Sequence, residues 1–519
     1  MSGAPPSDGR CRAEQPGNSG FESRSREDGP VRIALTVLSL GALTVLTAIG
    51  VLSFDSFEKA PSGGFFYRSD GLPLMLCAAG GWALFAVALL GLRRVSAKAV
   101  PWLVFGGAIA IGLAALAGPP NTSTDSARYA WDGIVQKADV SPYEYVPADT
   151  ALEGLKPDWL FPAATTAADG TQECVGERIG TIESGPSDGS SDGGDAASAT
   201  DDVSDSGDVR CTALNRPLVP TIYPPLAELY FLAVRLFVPS EVSYIAFQVA
   251  GLLVSLGITA VLLRVLRRSG RPLWWAALWA WCPLVASEAV TNSHVDVLGA
   301  GLALIATALV ASGRPWRGGI ALGLAIAAKL IPVIAAPALL RRSPVKIIGA
   351  AIVTFALLYV PYVLTTGLKV IGYLPGYLSE EGYENGTRFV LIPGWVPPML
   401  AAAIVAAVLA VTAGVVLWKT PPSNPWVGQL VMIGVTLIAV SPRYAWYALL
   451  LIPFIAMSGR WEWFAVALAL TFRLVTPPNA AFATALIVAA VVVAVGSWLR
   501  ATPEQRARLL RRRPAVPSA

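Results

Sequence analysis

The chain has 519 residues, 54% of them hydrophobic and only 14% charged, with mean hydropathy +0.56 and net charge +4. A soluble globular domain carries nearer a quarter charged residues, so this composition excludes a water-soluble enzyme. Uncharged runs such as IALTVLSLGALTVLTAIGVLSF (33–54) and AAFATALIVAAVVVAVGSWL (480–499) reach the ~20 residues that cross a ~30 Å hydrocarbon core. They predict an all-α polytopic membrane protein.

Residues 1–31 are polar and predict a disordered cytoplasmic N-terminus. The run that follows lacks a small-residue cleavage site and reads as a retained span. Spans are expected at 32–54, 72–92 and 100–117, with Arg93, Arg94 and Lys98 marking the second turn as cytoplasmic. The third span exits into a long loop, 118–241. Over 118–216 it holds eighteen acids against six lysines and arginines. The tail 500–519 has six arginines and one glutamate, so it belongs in the cytoplasm with the N-terminus. A multi-pass plasma-membrane protein follows, with the acidic loop extracytoplasmic.

That loop opens on DSARYAWDG (125–133). In a helix, Asp125 and Asp132 share one face, two turns apart, with Arg128 between them. One well-held carboxylate can serve as a general base toward a hydroxyl. A plain interfacial cap also fits, with Arg128 snorkelling and Tyr129 and Trp131 in the aromatic belt. Further on, Cys174 and Cys211 are the one cysteine pair in an oxidising compartment, and a disulfide is expected, with two free thiols the alternative. They bracket residues 183–208, which carry eight acids, no base and no aromatic ring, a composition expected to be disordered.

The stretch TIYPPLAELYFLAVRLFV (221–238) is apolar enough to invite a crossing. If it crossed, the next run, 242–266, would deliver Arg264, Arg267, Arg268 and Arg271 to the outside. A helix lying on the outer surface removes the contradiction, with Glu228 and Arg235 seven apart on one face. Spans 242–266, 272–287 and 294–312 follow. Arg314, Arg317, Arg341 and Arg342 all need the same side, yet only 23 residues separate Arg317 from Arg341. Two short helices broken at Lys329-Leu330-Ile331-Pro332 satisfy this, with Lys329 near the outer face. A span at 345–366 then exits to a second external loop, 367–392. Spans near 394–418, 426–440, 444–458, 461–475 and 480–499 complete a parity of fourteen. Counts from eleven are allowed because 426–475 is short-spanned and carries Arg443 and Arg473.

This topology gathers polar residues on the outer side: Asp125, Arg128, Asp132, Glu288, His294, Asp296, Lys329, Glu380, Glu381, Glu384, Arg388 and Arg443. A charge at membrane depth costs roughly 2.5–3.5 kcal/mol and needs a partner or a role. His294, the sole histidine, is either structural or catalytic; Lys329 either snorkels or clamps an anion. Neither a metal-ligand cluster nor a Gly-rich phosphate loop is present, so no metal and no cofactor are expected, and nothing points to nucleic acid.

DSARYAWDGIVQKADVSPYEYVPAD, TIYPPLAELYF, NSHVDVLGAGLAL, GLAIAAKLIPVIAAPALL and SPRYAWY occur in that order. Together they resemble the polytopic C-type (GT-C) glycosyltransferases, specifically the actinobacterial polyprenyl-phosphomannose-dependent mannosyltransferases. The resemblance implies a bundle of about 11–14 transmembrane helices with external surface-lying helices. It implies an Asp general base in a large external loop, matching Asp125 by position, with Asp132 as competitor. It implies inverting transfer of mannose from a lipid-phosphate donor to a glycolipid or lipoglycan acceptor of the cell envelope, of lipomannan type. Cations must then meet the leaving phosphate, for which Lys329, His294, Arg443 and Arg128 are candidates. Tyr129, Trp131, Tyr223 and Asp296 are candidates for substrate contact. The chain departs from the family pattern in having two spans before the one preceding the motif, and in its acidic insert.

Two alternatives stand beside this. Another polyprenyl-phosphate sugar, arabinofuranose or glucose, would need the same machinery. A transporter or lipid flippase would use the broken helix at Lys329, but such sites lie at the midplane between inverted repeats, whereas these charges gather on one face.

Overall fold

The computed structural model describes residues 19–53, 71–176, 178–182, 209–475, 479–504 and 506. The acidic insert 183–208 and residues 507–519 of the basic tail lie outside the described residues. Helices α1 (Ser19–Leu52), α2 (Gly71–Leu92) and α3 (Val100–Ala115) open the chain, and α4 (Asp125–Lys137) and α5 (Pro225–Leu236) lie in the long loop. Helix α6 (Ile245–Arg268) leads into a bent pair, Leu273–Ala280 and the π-helix Val285–Thr291. Then come α7 (Asp296–Ala311), α8 (Pro315–Ala328) and a 3-10 helix, Ile331–Ala338. Helices α9 (Pro344–Thr366), α10 (Leu374–Glu380), α11 (Pro398–Lys419) and α12 (Trp426–Val440) follow. The 3-10 turn Ala445–Leu450 runs into α13 (Ile452–Ser458), and α14 (Phe464–Val475) and α15 (Asn479–Arg500) close the bundle.

This is an all-α polytopic membrane protein. Among the described residues, six helices are long and apolar enough to cross a membrane, or seven if the bent pair is one span. Four more apolar helices are shorter: Val100–Ala115, Asp296–Ala311, Trp426–Val440 and Ala445–Ser458. The outer faces of the long helices α1, α9 and α11 expose leucine, valine and isoleucine, as at Leu38, Ile352, Leu364 and Val411. A helix apolar all round suits lipid on one side and protein on the other. The core gathers around Trp279, Trp281, Phe454 and Leu304.

Without a hydrophobic drive between helices in lipid, small residues set how closely they pack. Gly319 and Gly323 of α8 show it: a Cβ on either would stand 2.5 or 2.6 Å from the carbonyl oxygens of Ile347 and Ala351 in α9. Helix α8 stops at Ala328, Lys329 is extended at φ −157°, and the chain turns into the 3-10 helix through Pro332. The broken pair expected at 329–332 is therefore present.

The two ends of the bundle differ in charge. Gln248, in the first turn of α6, donates to the carbonyls of Gly118 and Thr291. Arg268, twenty residues on, is about 30 Å away at 1.5 Å per residue. Around that far end, Arg93 lies over Trp274, Arg271 donates to Asn424, and Arg341 donates to the Thr420 carbonyl. Helices α4 and α5 sit at the opposite end, with Lys329.

Two local expectations change. Helix α1 already begins at Ser19, inside the segment expected to be disordered. Helix α5 is only 12 residues long, about 18 Å, too short to cross. Its Glu228 and Arg235 do share a face, but both are fully buried, so that face packs into the protein and not toward headgroups. Gly133 of α4 allows this, because a Cβ there would meet the Phe231 carbonyl oxygen at 2.6 Å. Two antiparallel ladders, Thr165–Thr166 with Gln172–Glu173 and Gly180–Thr181 with Cys211–Thr212, frame the loop. Cys174 and Cys211 form a disulfide, with their Cα atoms 5.5 Å apart.

Candidate active site

Asp125 begins α4, where an acidic side chain is favoured by the helix dipole. Its N–H donates to Ser123 Oγ at 3.1 Å, and its Oδ1 accepts from Asn215 Nδ2 at 2.8 Å. Its Oδ2 lies 3.6 Å from His294 Nδ1. The carboxylate lines a cleft together with Ser123, Asn215 and Tyr223. Burial alone would raise the Asp125 pKa. The His294 and Lys329 cations and the Asn215 amide outweigh it and hold the group well below the usual carboxylate range. Asp125 is therefore ionised and faces the cleft.

Three cations, Arg128, Arg216 and Lys329, and four aromatic rings, Tyr223, Tyr377, Tyr444 and Trp446, line the same cleft. Lys329 sits 3.1 Å from Asp296 and over the Tyr223 and Tyr447 rings. Burial pushes its ammonium pKa down, but Asp296 and then Asp125 more than restore it. Arg216, at φ 50°, donates to Glu380 at 2.7 Å, and Tyr373 donates to the same carboxylate at 2.5 Å. The structure thus brings Asp125, Arg128, Tyr223 and Lys329 together, with Asp296 behind Lys329.

Other expected residues are placed elsewhere. Asp132 is buried one helical turn beyond Arg128, whose Nε donates to both its oxygens at 2.9 and 3.1 Å. Arg128 also donates to the carbonyls of Arg216 and Val219. Glu228 approaches from α5, accepting from Thr221 at 2.6 Å and Gln136 at 2.9 Å. Burial raises both carboxyls, Glu228 well above its ordinary value, while Arg128 opposes the rise at Asp132. Asp132 does not line the cleft. Tyr129 is fully buried, stacked on Phe231 at 4.4 Å, and Trp131 packs against Phe161 inside a separate cluster. Neither is an interfacial anchor or a cleft wall. The interfacial-cap alternative fails because residues 126–135 of α4 are all buried.

His294 is 0% exposed and stands behind Asp125, not in the cleft. Its ring stacks on Trp446 at 3.9 Å, and Trp446 on Tyr444 at 4.3 Å. Burial pushes the imidazole pKa down, but the Asp125 and Glu288 carboxylates on either side raise it to about 9. Arg443 is half-buried in the link before Trp446 and does not line the cleft. Asn215, Arg216, Tyr377, Tyr444 and Trp446 were missed as cleft residues. SPRYAWY, with its three aromatic rings, was the one sequence signal that could have found the last two. Among the described residues, no group of three His, Cys, Asp or Glu side chains could hold a metal ion.

The cleft floor is tied down from the disulfide loop. Arg178, in a left-handed conformation, donates to the carbonyls of Pro120 and Asn121. Asn292 accepts from the Asn121 and Thr122 N–H groups at 2.8 and 2.9 Å. A carboxylate in a cleft lined by cations and aromatic rings can take a proton from a hydroxyl while the cations receive an anionic leaving group.

Comparison with known families gives one match: the model of glycosyltransferase family 87 fits residues 221–442, less than half of the chain. The match supports a membrane glycosyltransferase of the GT-C type. It includes Tyr223, Glu288, His294, Asp296 and Lys329, and stops short of Asp125 on one side and Trp446 on the other. No curated protein and no solved structure matches the chain.

Proposed function

We propose that this membrane glycosyltransferase moves mannose from a polyprenyl-phosphate-mannose donor to a cell-envelope glycolipid or lipoglycan, on the extracytoplasmic face, with Asp125 as general base. The observation that carries this reading is that the Asp125 carboxylate lines one cleft with Lys329, which sits at a helix break. A nucleotide sugar would be cytoplasmic, whereas a lipid-phosphate donor brings one anion and an apolar tail that belongs in a bilayer.

The reaction is a single displacement. The acceptor O–H bond breaks and its proton goes to Asp125. The freed oxygen pair forms a bond to the anomeric carbon on the face opposite the phosphate. The C–O bond to phosphate breaks, polyprenyl phosphate keeps that electron pair, and the anomeric configuration inverts. Lys329 and Arg216 meet the charge that develops on the leaving oxygen, with Arg128 behind them. His294 and Arg443, lying off the cleft, take no part in binding the phosphate.

The test is transfer from purified polyprenyl-phosphomannose to a mannolipid acceptor. Loss of a general base costs about 10²–10⁴-fold in kcat, so Asp125→Asn is expected to fall by that factor. Full activity in Asp125→Asn would remove Asp125 as base. Transfer only from a polyprenyl-phosphate arabinofuranose or glucose would change the sugar and keep the chemistry. No transfer from any such donor by folded wild-type protein would overturn the enzyme reading.

A further inference from the structure

The segment VASEAVTNSHVD (285–296) is the least regular stretch among the helices, and its irregularities converge on one ring. Residues 285–291 form a π-helix, a form that concentrates at functional sites. Ser293 then adopts φ 51°, a left-handed conformation that a non-glycine residue rarely takes. The result places Glu288 and His294 side by side, both buried, with His294 Nε2 3.4 Å from Glu288 Oε2. On the other side of the ring, Nδ1 faces Asp125 at 3.6 Å. Neither ring nitrogen makes a direct hydrogen bond, and the contacts have the distances of ion pairs. Glu288 is itself held, accepting from Ser287 at 2.7 Å and from Thr122 at 3.4 Å. Trp446 covers a face of the imidazole and brings no charge. The other charged side chains nearby, Lys329 and its partner Asp296, act on the Asp125 side of the site. Tyr129 and Tyr223 stand neutral beneath Asp125.

We infer that Glu288 is a positioning residue for the transfer reaction: it holds the His294 imidazolium between two carboxylates, and so keeps Asp125 oriented and free to take the acceptor proton. The inference rests on the reading of Asp125 as the base. Its physical ground is charge balance in a dry site, where a buried cation needs a partner. Before transfer, two carboxylates flank one imidazolium. When Asp125 takes the proton it becomes neutral, and Glu288 alone then balances the ring. Without Glu288 the ring loses its own proton more easily, and Asp125 loses the cation that faces it. Glu288 touches no substrate, since it does not line the cleft.

Because His294 is the only histidine, its titration can be followed in the full-length protein by NMR of isotope-labelled histidine, with a non-histidine affinity tag. In Glu288→Gln the imidazole midpoint is expected to fall by about one pH unit or more. The alkaline limb of kcat should move down with it, kcat at neutral pH should drop about tenfold, and donor KM should stay within about threefold. Glu288→Asp keeps the charge on a shorter stem and is expected to restore part of both the midpoint and kcat. It also serves as the readout if Glu288→Gln does not fold. An unchanged histidine midpoint in Glu288→Gln overturns the inference, as does a shifted midpoint with an unchanged kcat profile. The NMR titration needs no sugar donor, so it remains readable if the transfer reaction proves to be another one.

Discussion

Asp125 and Asp132 differ by seven positions and share one helix face, yet their surroundings assign them opposite work. Asp125 opens on the cleft with His294 behind it, while Asp132 is closed in by Arg128 and Glu228. Removing one partner of a buried ion pair costs about 3–5 kcal/mol, because the other is left uncompensated. Asp132→Asn is therefore expected to lower the melting temperature markedly and to leave kcat of the folded fraction within a few-fold. A stable Asp132→Asn protein with kcat down a hundredfold would instead make Asp132 the base. The pH dependence follows from the same neighbours. His294 has a folded-state pKa raised to about 9. Its contribution to stability is complete below its unfolded value near 6.5 and is lost as pH rises through about 9. Asp125 is shifted the other way, so its contribution holds above its unfolded value and is lost only at strongly acidic pH. Thermal unfolding measured from pH 6 to 10 should show stability declining over that alkaline range, and Glu288→Gln should move the decline to lower pH.

At the scale of elements, the site depends on how closely α4 and α5 approach. Gly133 faces the Phe231 carbonyl and the Arg235 stem. In a free helix, Gly→Ala gains about 1 kcal/mol of helix propensity. Here the added methyl would stand 2.6 Å from a backbone oxygen, which cannot swing aside as a side chain can. Overpacking of that kind costs about 1–3 kcal/mol, so Gly133→Ala is expected to destabilise the protein, as read by the midpoint of thermal unfolding. An unchanged or raised midpoint would mean that α5 yields without cost. Displacing α5 also moves Thr221 and the carbonyls that Arg128 holds, so kcat/KM should fall with stability.

Across the whole molecule, basic residues gather at one end and the cleft at the other, about 30 Å apart along α6. The proposed topology puts the basic end in the cytoplasm, as the charge rule expects. Glu153 in the loop and Arg268 at the end of α6 are exposed. In a background without Cys11 and Cys77, an impermeant thiol reagent on intact cells should label Glu153→Cys and spare Arg268→Cys. The reverse pattern would invert the topology and put the cleft in the cytoplasm.

Much of this organisation was legible in the sequence. Long apolar runs can do little except cross a membrane, and arginines at 264–271, 314–317 and 341–342 forced both the short helix at 225–236 and the break at Lys329. The Cys174–Cys211 pairing followed from compartment and elimination. Local pattern could not say which polar side chain faces which, because α4 is buried all round and both of its carboxylates lie on one face. Only the tertiary structure decided that Asp125 opens on the cleft and Asp132 does not. It alone moved His294 behind the carboxylate, and it alone brought Asn215, Arg216 and Trp446 from distant segments to the same walls. The physical reason is that hydrophobicity and charge sidedness act along the chain one segment at a time, whereas the electrostatics of a buried carboxylate are set by neighbours 90 to 320 residues away.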